Sequence, residues 1–273
     1  MTLDISRLLS GWKFEPNRMQ ARLIPGEDGR EKLQIRLDLG LFQMELDGRP
    51  DGLHPEGAES LLEHLEARNS SAEGTGKLTP DQLSELMREG VQYYNRYMAL
   101  FALGEYDRVA RDTARNLRLF RFIASHVESN RDRWVFEQYT PFVTMMHGRA
   151  LGEKALKEGR PRSALRAIDE AIESILGFFR EQENEEEMAE CGELSFLRSW
   201  RREIEDVPAS NAADRLEEQL KLAVAREDYE DAAQLRDQLR RLQIHPETET
   251  SDVQPATESP DHADQLDQPG SGS

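Results

Sequence analysis

The chain has 273 residues, 37 % apolar and 32 % charged, with a formal net charge of −18. Affinity for phosphate comes from clustered Lys and Arg, and the longest basic runs here are Arg201-Arg202 and Arg240-Arg241, so direct contact with nucleic acid or an anionic membrane is disfavoured. Cys191 stands alone, which excludes an internal disulfide and a four-cysteine zinc site, and no apolar run approaches the roughly 20 residues of a spanning helix. With Asp4 and no long apolar stretch in the first ten residues, no signal peptide is expected, and a reduced, cytoplasmic setting follows.

In chain order, Asp4 followed by Ile5, Leu8, Leu9 and Trp12 predicts a short amphipathic helix. Met19, Ala21 and Leu23 then alternate with polar residues, and 25–29 (PGEDG) carries turn residues. Leu33, Ile35, Leu37, Leu39 and Leu41 keep a period of two, as a half-buried strand does. Beyond Leu41 the parity flips to Phe42, Met44 and Leu46, which predicts a bulge or a second strand near Gly40. Asp47-Gly48 and Asp51-Gly52 are turn signals, and Glu56 to Arg68 reads as a helix with Leu61, Leu62 and Leu65 on one face. These residues form an expected small α+β domain over 1–68.

The stretch 69–78 has linker composition. Thr79-Pro80 opens a helical region over 79–206, an N-cap followed by proline at the first helical position. Tyr93, Tyr94, Tyr97 and Phe101 are expected in its core. Leu151-Gly152, Ala155, Gly159, Ala164, Ile168 and Ala171 have the spacing of a tetratricopeptide repeat, which this unit over 145–176 resembles. Small residues at 152, 164 and 171 would let two helices approach, with Gly159 turning between them. Gly104 marks a weaker unit, and its distance from Gly159 is irregular for an array, so a generic helical bundle is the competing reading. Seven glutamates between Glu181 and Glu193 read as a solvated helix end. The tail 245–273, with seven acidic residues and no Lys or Arg, is expected to be disordered.

The segment 212–244 contains two apolar stripes. Leu216, Leu220 and Ala223 form one; Ala232, Leu235, Leu239 and Leu242 form the other. Asp228 is placed to cap the second helix, with Asp231 three residues on. The pattern predicts an antiparallel helical hairpin, too small to hold much core alone. The same residues resemble the UVR motif of bacterial excision-nuclease subunits, Clp-type ATPases and an activator of protein-arginine kinase. The resemblance rests on Leu216-Glu217 and on the run Tyr229-Glu230-Asp231-Ala232-Ala233-Gln234-Leu235-Arg236-Asp237, ending in Leu239 and Leu242. Leu220 replaces a common methionine and Tyr229 a common phenylalanine. In that family the hairpin docks onto another protein, often a second such hairpin. The resemblance thus implies a protein partner, possible homodimerisation, and contact through Leu216, Leu220, Tyr229, Ala232, Ala233, Leu235, Arg236 and Leu239. Packing of the same residues onto the chain's own helices is the alternative.

Catalytic chemistry has little support in the sequence. There is no phosphate-binding Gly-rich loop ending in Lys-Ser or Lys-Thr, no Cys-x-x-Cys pair, and no metal-ligand spacing among histidines 54, 64, 126, 147, 245 and 262. No cofactor, metal or catalytic residue is expected. The expected function is a non-enzymatic adaptor, in excision repair or in stress and proteolysis regulation as the resemblance implies, with a polar site at Asp47, Asp51 and His54 as the enzymatic alternative and a structural homo-oligomer as another.

Overall fold

The computed structural model describes residues 4–70, 76–205, 212–226 and 228–244. Part of the expected linker (71–75), the expected disordered tail (245–273) and the Leu242 side chain lie outside the described residues. Two compact units are present, 1–208 and 209–273. The architecture is α+β, as expected: three strands near the N-terminus, then helices.

In the first unit, Asp4 accepts the Ser6 backbone N–H and starts a helix of only five residues, α1 (Ser6–Ser10). Strands β1 (Ala21–Pro25), β2 (Glu31–Leu37) and β3 (Gly40–Glu45) form an antiparallel meander in sequence order. The alternation that continues through Leu41 hides a turn. Leu37 pairs with Gly40 across a two-residue loop, Asp38-Leu39, and Leu39 is 88 % exposed. The parity flip is therefore a second strand: Leu33 faces Met44 and Ile35 faces Phe42, so odd positions on β2 share a face with even positions on β3.

β2 is buried on both faces, not one. Lys32, Gln34 and Arg36 are all under 9 % exposed. Arg22 donates to Gln34 Oε1 (2.7 and 2.9 Å) and Gln34 passes a bond to Gln43 (2.9 Å). The segment before β1 covers this polar row. Arg36 Nε donates to the Trp12 carbonyl (2.7 Å), and the Arg22 guanidinium lies 4.1 Å from the Trp12 ring centroid. Lys32 is tied to Asp28 (2.7 Å) and Glu45 (2.5 Å). Lysine and arginine stems are apolar enough to be covered while each charged end keeps a partner.

A 3-10 turn (Pro55–Gly57) leads into α2 (Leu61–Ser70). The helical series follows: α3 (Pro80–Ala102), α4 (Tyr106–His126), α5 (Asn130–Glu137), α6 (Thr140–Lys157), α7 (Pro161–Glu181), α8 (Glu185–Glu190) and α9 (Gly192–Glu205). Thr79 and Gln82 form a reciprocal capping box at the start of α3. The glutamate run spans the end of α7, α8 and the start of α9, and Glu185, Glu186 and Glu187 are not buried.

One core joins the sheet to the helices: Leu33, Ile35, Met44 and Leu46 pack with Tyr97, Leu100, Val109 and Met146. The composition break at 69–78 is thus not a break in the core. A second cluster gathers α2 with α3 to α6 around Leu62, Leu86, Leu119 and Ile123. A third holds α6, α7 and α9 around Ala155, Ile168, Ile175 and Leu197. Gly159 turns α6 into α7 at φ +70°, with Arg160 N–H returning to the Ala155 carbonyl (2.8 Å). Gly104 makes the same turn between α3 and α4, where Glu105 N–H returns to Leu100. The close approach of α6 to α7 falls at Gly148, where an added Cβ would stand 2.5 Å from the Ala171 Cβ. Gly152 instead receives the Trp200 ring of α9. No helix among the described residues is long and apolar enough to cross a membrane.

The second unit holds α10 (Ala212–Ala225) and α11 (Tyr229–Ile244), which pack against each other.

Candidate functional site

In the hairpin, α10 closes on the Asp228 N–H bond to the Ala223 carbonyl (2.9 Å), and the Asp228 carboxylate accepts the Asp231 N–H (3.3 Å). That side-chain bond satisfies one orphan amide, and Glu230 and Asp231 suit the positive end of the helix. Of the residues expected to contact a partner, Ala232 and Leu239 are buried. They can act on a partner only by holding the hairpin together. Leu216, Leu220, Ala233 and Leu235 are half-buried, Arg236 is exposed beside Asp237 (3.5 Å), and Tyr229 is 69 % exposed.

Two exposed apolar residues escaped the sequence reading. Leu222 is 51 % and Val224 52 % exposed. Neither belongs to the 216–220–223 stripe, and an apolar residue off the helical stripe was the signal that could have found them. Leu222 lines an open notch of about 330 Å³ with Gln219, Arg226, Asp231, Gln234 and Leu235.

The polar loop from Asp47 to His54 lies in the first unit. Its turns need Gly48 (φ +63°) and Gly52 (φ +72°). The carboxylates do not converge. Asp47 pairs with Arg111 (2.6 Å), whereas Asp51 pairs with Arg49 (3.0 Å) and accepts from Gln92 (2.9 Å). Asp47 lines a cavity of about 210 Å³, Asp51 a separate one of about 230 Å³, and His54 lines neither.

Beneath the loop runs a buried ionic network with no signal in the local sequence pattern. Arg96 forms a two-pronged pair with Asp112 (2.7 and 2.9 Å), both 1 % exposed, and donates to the carbonyls of Glu45 (2.9 Å) and Gly48 (2.8 Å). Glu89, fully buried, pairs with Arg115 and Arg49 and accepts the N–H groups of Leu61 (2.8 Å) and Leu62 (3.3 Å), capping α2 from a distant helix. The Tyr93 ring lies against both Arg96 (4.7 Å) and Arg115 (4.2 Å), and burial raises its hydroxyl pKa. Every charge here has an opposite partner, so the network locks the loop and α2 onto α3 and α4.

Two larger cavities open on the helices. One, about 710 Å³, is flanked by α4, α6 and α7 and includes His147. Burial holds the His147 pKa below its ordinary value, opposed by its bond to the Ala110 carbonyl (3.1 Å), and Thr113 Oγ1 sits 3.0 Å away. The other, about 520 Å³, is largely aromatic. Cys191 is half-buried, and burial raises its pKa, which leaves it a poor nucleophile. Among the described residues no three His, Cys, Asp or Glu side chains group as a metal site.

Residues 210–244 match the sequence model of a family described as the UvrB/uvrC motif. The match spans the hairpin and leaves the unit 1–208 outside it. No curated protein and no solved structure matches the chain, and the family match does not reach the tetratricopeptide-like unit over 145–176.

Proposed function

We propose that this chain is a non-catalytic adaptor whose hairpin docks a protein carrying a hairpin of the same kind. The observation that carries the reading is a UvrB/uvrC-type hairpin presenting Leu222, Val224 and Tyr229 more than half exposed. Leu222 and Val224 lie two residues apart and so flank buried Ala223 on opposite sides of α10, each offering an apolar anchor on its own side of the hairpin, while Tyr229 at the start of α11 is of the aromatic type that carries much interface energy. Arg226 and Arg236 stand among acidic neighbours at the rim, where they would set register more than affinity. Non-catalytic function is supported by Asp47 and Asp51, the carboxylates of the polar loop, which are held by Arg111 and Arg49. The overall acidity supports a protein partner over nucleic acid.

The test is affinity purification with mass spectrometry from native cells, comparing the intact chain with one carrying Leu222→Asp, Val224→Asp and Tyr229→Ser. All three positions are exposed and lie in the unit 209–273, so the core of the unit 1–208 is left untouched. Partners specific to the intact chain are expected to vanish from the variant. Retention of the same set would refute the hairpin as the docking element.

A further inference from the structure

We infer that the aromatic cavity on the helical body is a second docking site, for a partner segment that presents a large apolar side chain close to an Arg or Lys. The site is separate from the hairpin and goes beyond the adaptor reading.

The cavity of about 520 Å³ has six rings on its wall: Tyr94, Tyr97, Phe120, Phe136, Tyr139 and Phe142. Tyr97 (1 % exposed), Phe120 (8 %) and Phe136 (3 %) form the fixed part. The Tyr94 ring stands edge-on to Tyr97 with centroids 5.5 Å apart and lies 6.3 Å from Phe142. The rim is different. Val91, Tyr94 and Tyr139 also line the cavity, yet they are 48 %, 42 % and 49 % exposed. Tyr94 belongs to the stripe expected in the core, so its exposure departs from a residue pattern that otherwise buries Tyr93 and Tyr97. An apolar hollow with a half-open apolar rim is the shape that receives one anchoring side chain and is then sealed by its flanks.

Charge names the neighbour of that anchor. Glu193 is the one ionisable acid or base other than tyrosine on this wall among the described residues. It accepts a bond from the Cys191 thiol (3.4 Å), a weak donor, and pairs with no Lys or Arg among the described residues. The two amide side chains on the wall are engaged within the fold: Asn116 donates to the Gly90 carbonyl (3.0 Å) and Gln138 to the Val135 carbonyl (3.1 Å). A carboxylate with no Lys or Arg partner among the described residues, on the same wall as tyrosine rings, favours a cation, which gains from the charge and can reach a ring. The chain's own acidic tail, with seven acidic residues and no Lys or Arg over 245–273, has the wrong sign to fill it.

The experiment is a selection of random dodecapeptides displayed on phage against the full chain. The expected outcome is a consensus pairing a large apolar residue with Arg or Lys within one helical turn. A synthetic peptide of that consensus should bind at least about tenfold more weakly to Tyr94→Ser and to Glu193→Gln, the loss of one anchor contact. It should bind the hairpin variant Leu222→Asp unchanged, which separates failure of this site from failure of the hairpin. Tryptophan fluorescence of each variant checks the fold, and Glu193→Lys should bind a peptide whose Arg or Lys is replaced by Glu. An acidic or uncharged consensus, no enrichment at all, or affinity indifferent to both cavity variants overturns the inference. So does light scattering in which the chain self-associates and Tyr94→Ser restores the monomer, because the occupant would then be a second copy.

Discussion

Replacing Asp112 with alanine tests the buried network directly. Arg96 donates four hydrogen bonds at 2.7–2.9 Å, two of them to Asp112, from a site that is 1 % exposed. In Asp112→Ala the guanidinium keeps the Glu45 and Gly48 carbonyls but loses its only carboxylate partner among the described residues. Breaking a buried pair from one side costs about 3–5 kcal/mol, because water cannot reach the charge left behind. Arg111 also loses Asp112 (3.0 Å), yet it is 40 % exposed and retains Asp47, so its share is small. The loss is a large part of the roughly 5–15 kcal/mol that holds an ordinary domain. Urea unfolding followed by tryptophan fluorescence reads it cleanly, since Trp12, Trp134 and Trp200 all lie in the unit 1–208. Arg96→Met with Asp112→Leu should recover most of the loss, since an apolar pair of similar volume needs no compensating charge. In that double variant the Glu45 carbonyl loses the Arg96 donor and the Gly48 carbonyl keeps only the Tyr93 hydroxyl (3.3 Å), so proteolysis between 45 and 53 should accelerate. A single-variant cost below about 1 kcal/mol would refute the claim that this pair is both buried and dry.

Gly148→Ala places a methyl group 2.5 Å from the Ala171 Cβ and should cost about 1–3 kcal/mol by forcing α6 from α7, measured by the same unfolding assay. Gly104→Ala meets no atom within 4 Å, so only its φ of +74° counts, and a cost of about 1–2 kcal/mol is expected. His147 is held neutral by burial, its folded pKa below the ordinary 6.5. Its unfolded form therefore takes up a proton first: the contribution is fully present above about pH 6.5 and is lost as pH falls through the lowered folded value. His147→Gln should flatten the fall of melting temperature below pH 6.5 relative to the parent, and identical slopes would refute it.

The legible parts of the fold were those written in local periodicity. The meander follows from period two in Leu33, Ile35 and Leu37, and the Thr79-Pro80 start of α3 from its cap. The hairpin was legible twice, in its stripes and in the ordered run from Tyr229 to Asp237. What escaped was set by partners far apart in sequence. Arg96 with Asp112 and Glu89 with Leu61 are separated by 16 and 28 residues, and nothing near Glu89 marks it as a helix cap. The two-residue loop at Asp38-Leu39 was hidden because a leucine at its tip continues the alternation. Lys32, Gln34 and Arg36 read as a solvated face, since no local signal announces that Trp12 and Phe14 fold back over it. Leu222 and Val224 differ from these, because apolar residues off the 216–220–223 stripe are legible as exposed from the helical period alone.

The hairpin's energetics lead to the last prediction. Helices of 14 and 16 residues are near the length at which isolated helices are marginal in water. Among the described hairpin residues only Ala223, Ala232 and Leu239 are buried. One leucine contributes about 2 kcal/mol and two alanines less, against an ordering cost of about 1–2 kcal/mol per residue. Half-buried Leu216, Leu220 and Leu235 add to this only in part. Covering Tyr229 together with either Leu222 or Val224, which lie on opposite sides of α10, would add apolar burial of the same order as the existing core. A peptide spanning 210–244 should therefore show weak helical circular dichroism at micromolar concentration and gain helicity as it is concentrated or given a partner hairpin. Tyr229→Ser should suppress that gain while leaving the dilute spectrum unchanged. A fully helical monomer, independent of concentration, would mean that the hairpin satisfies itself, and the exposed residues would then lose their claim to be a contact surface.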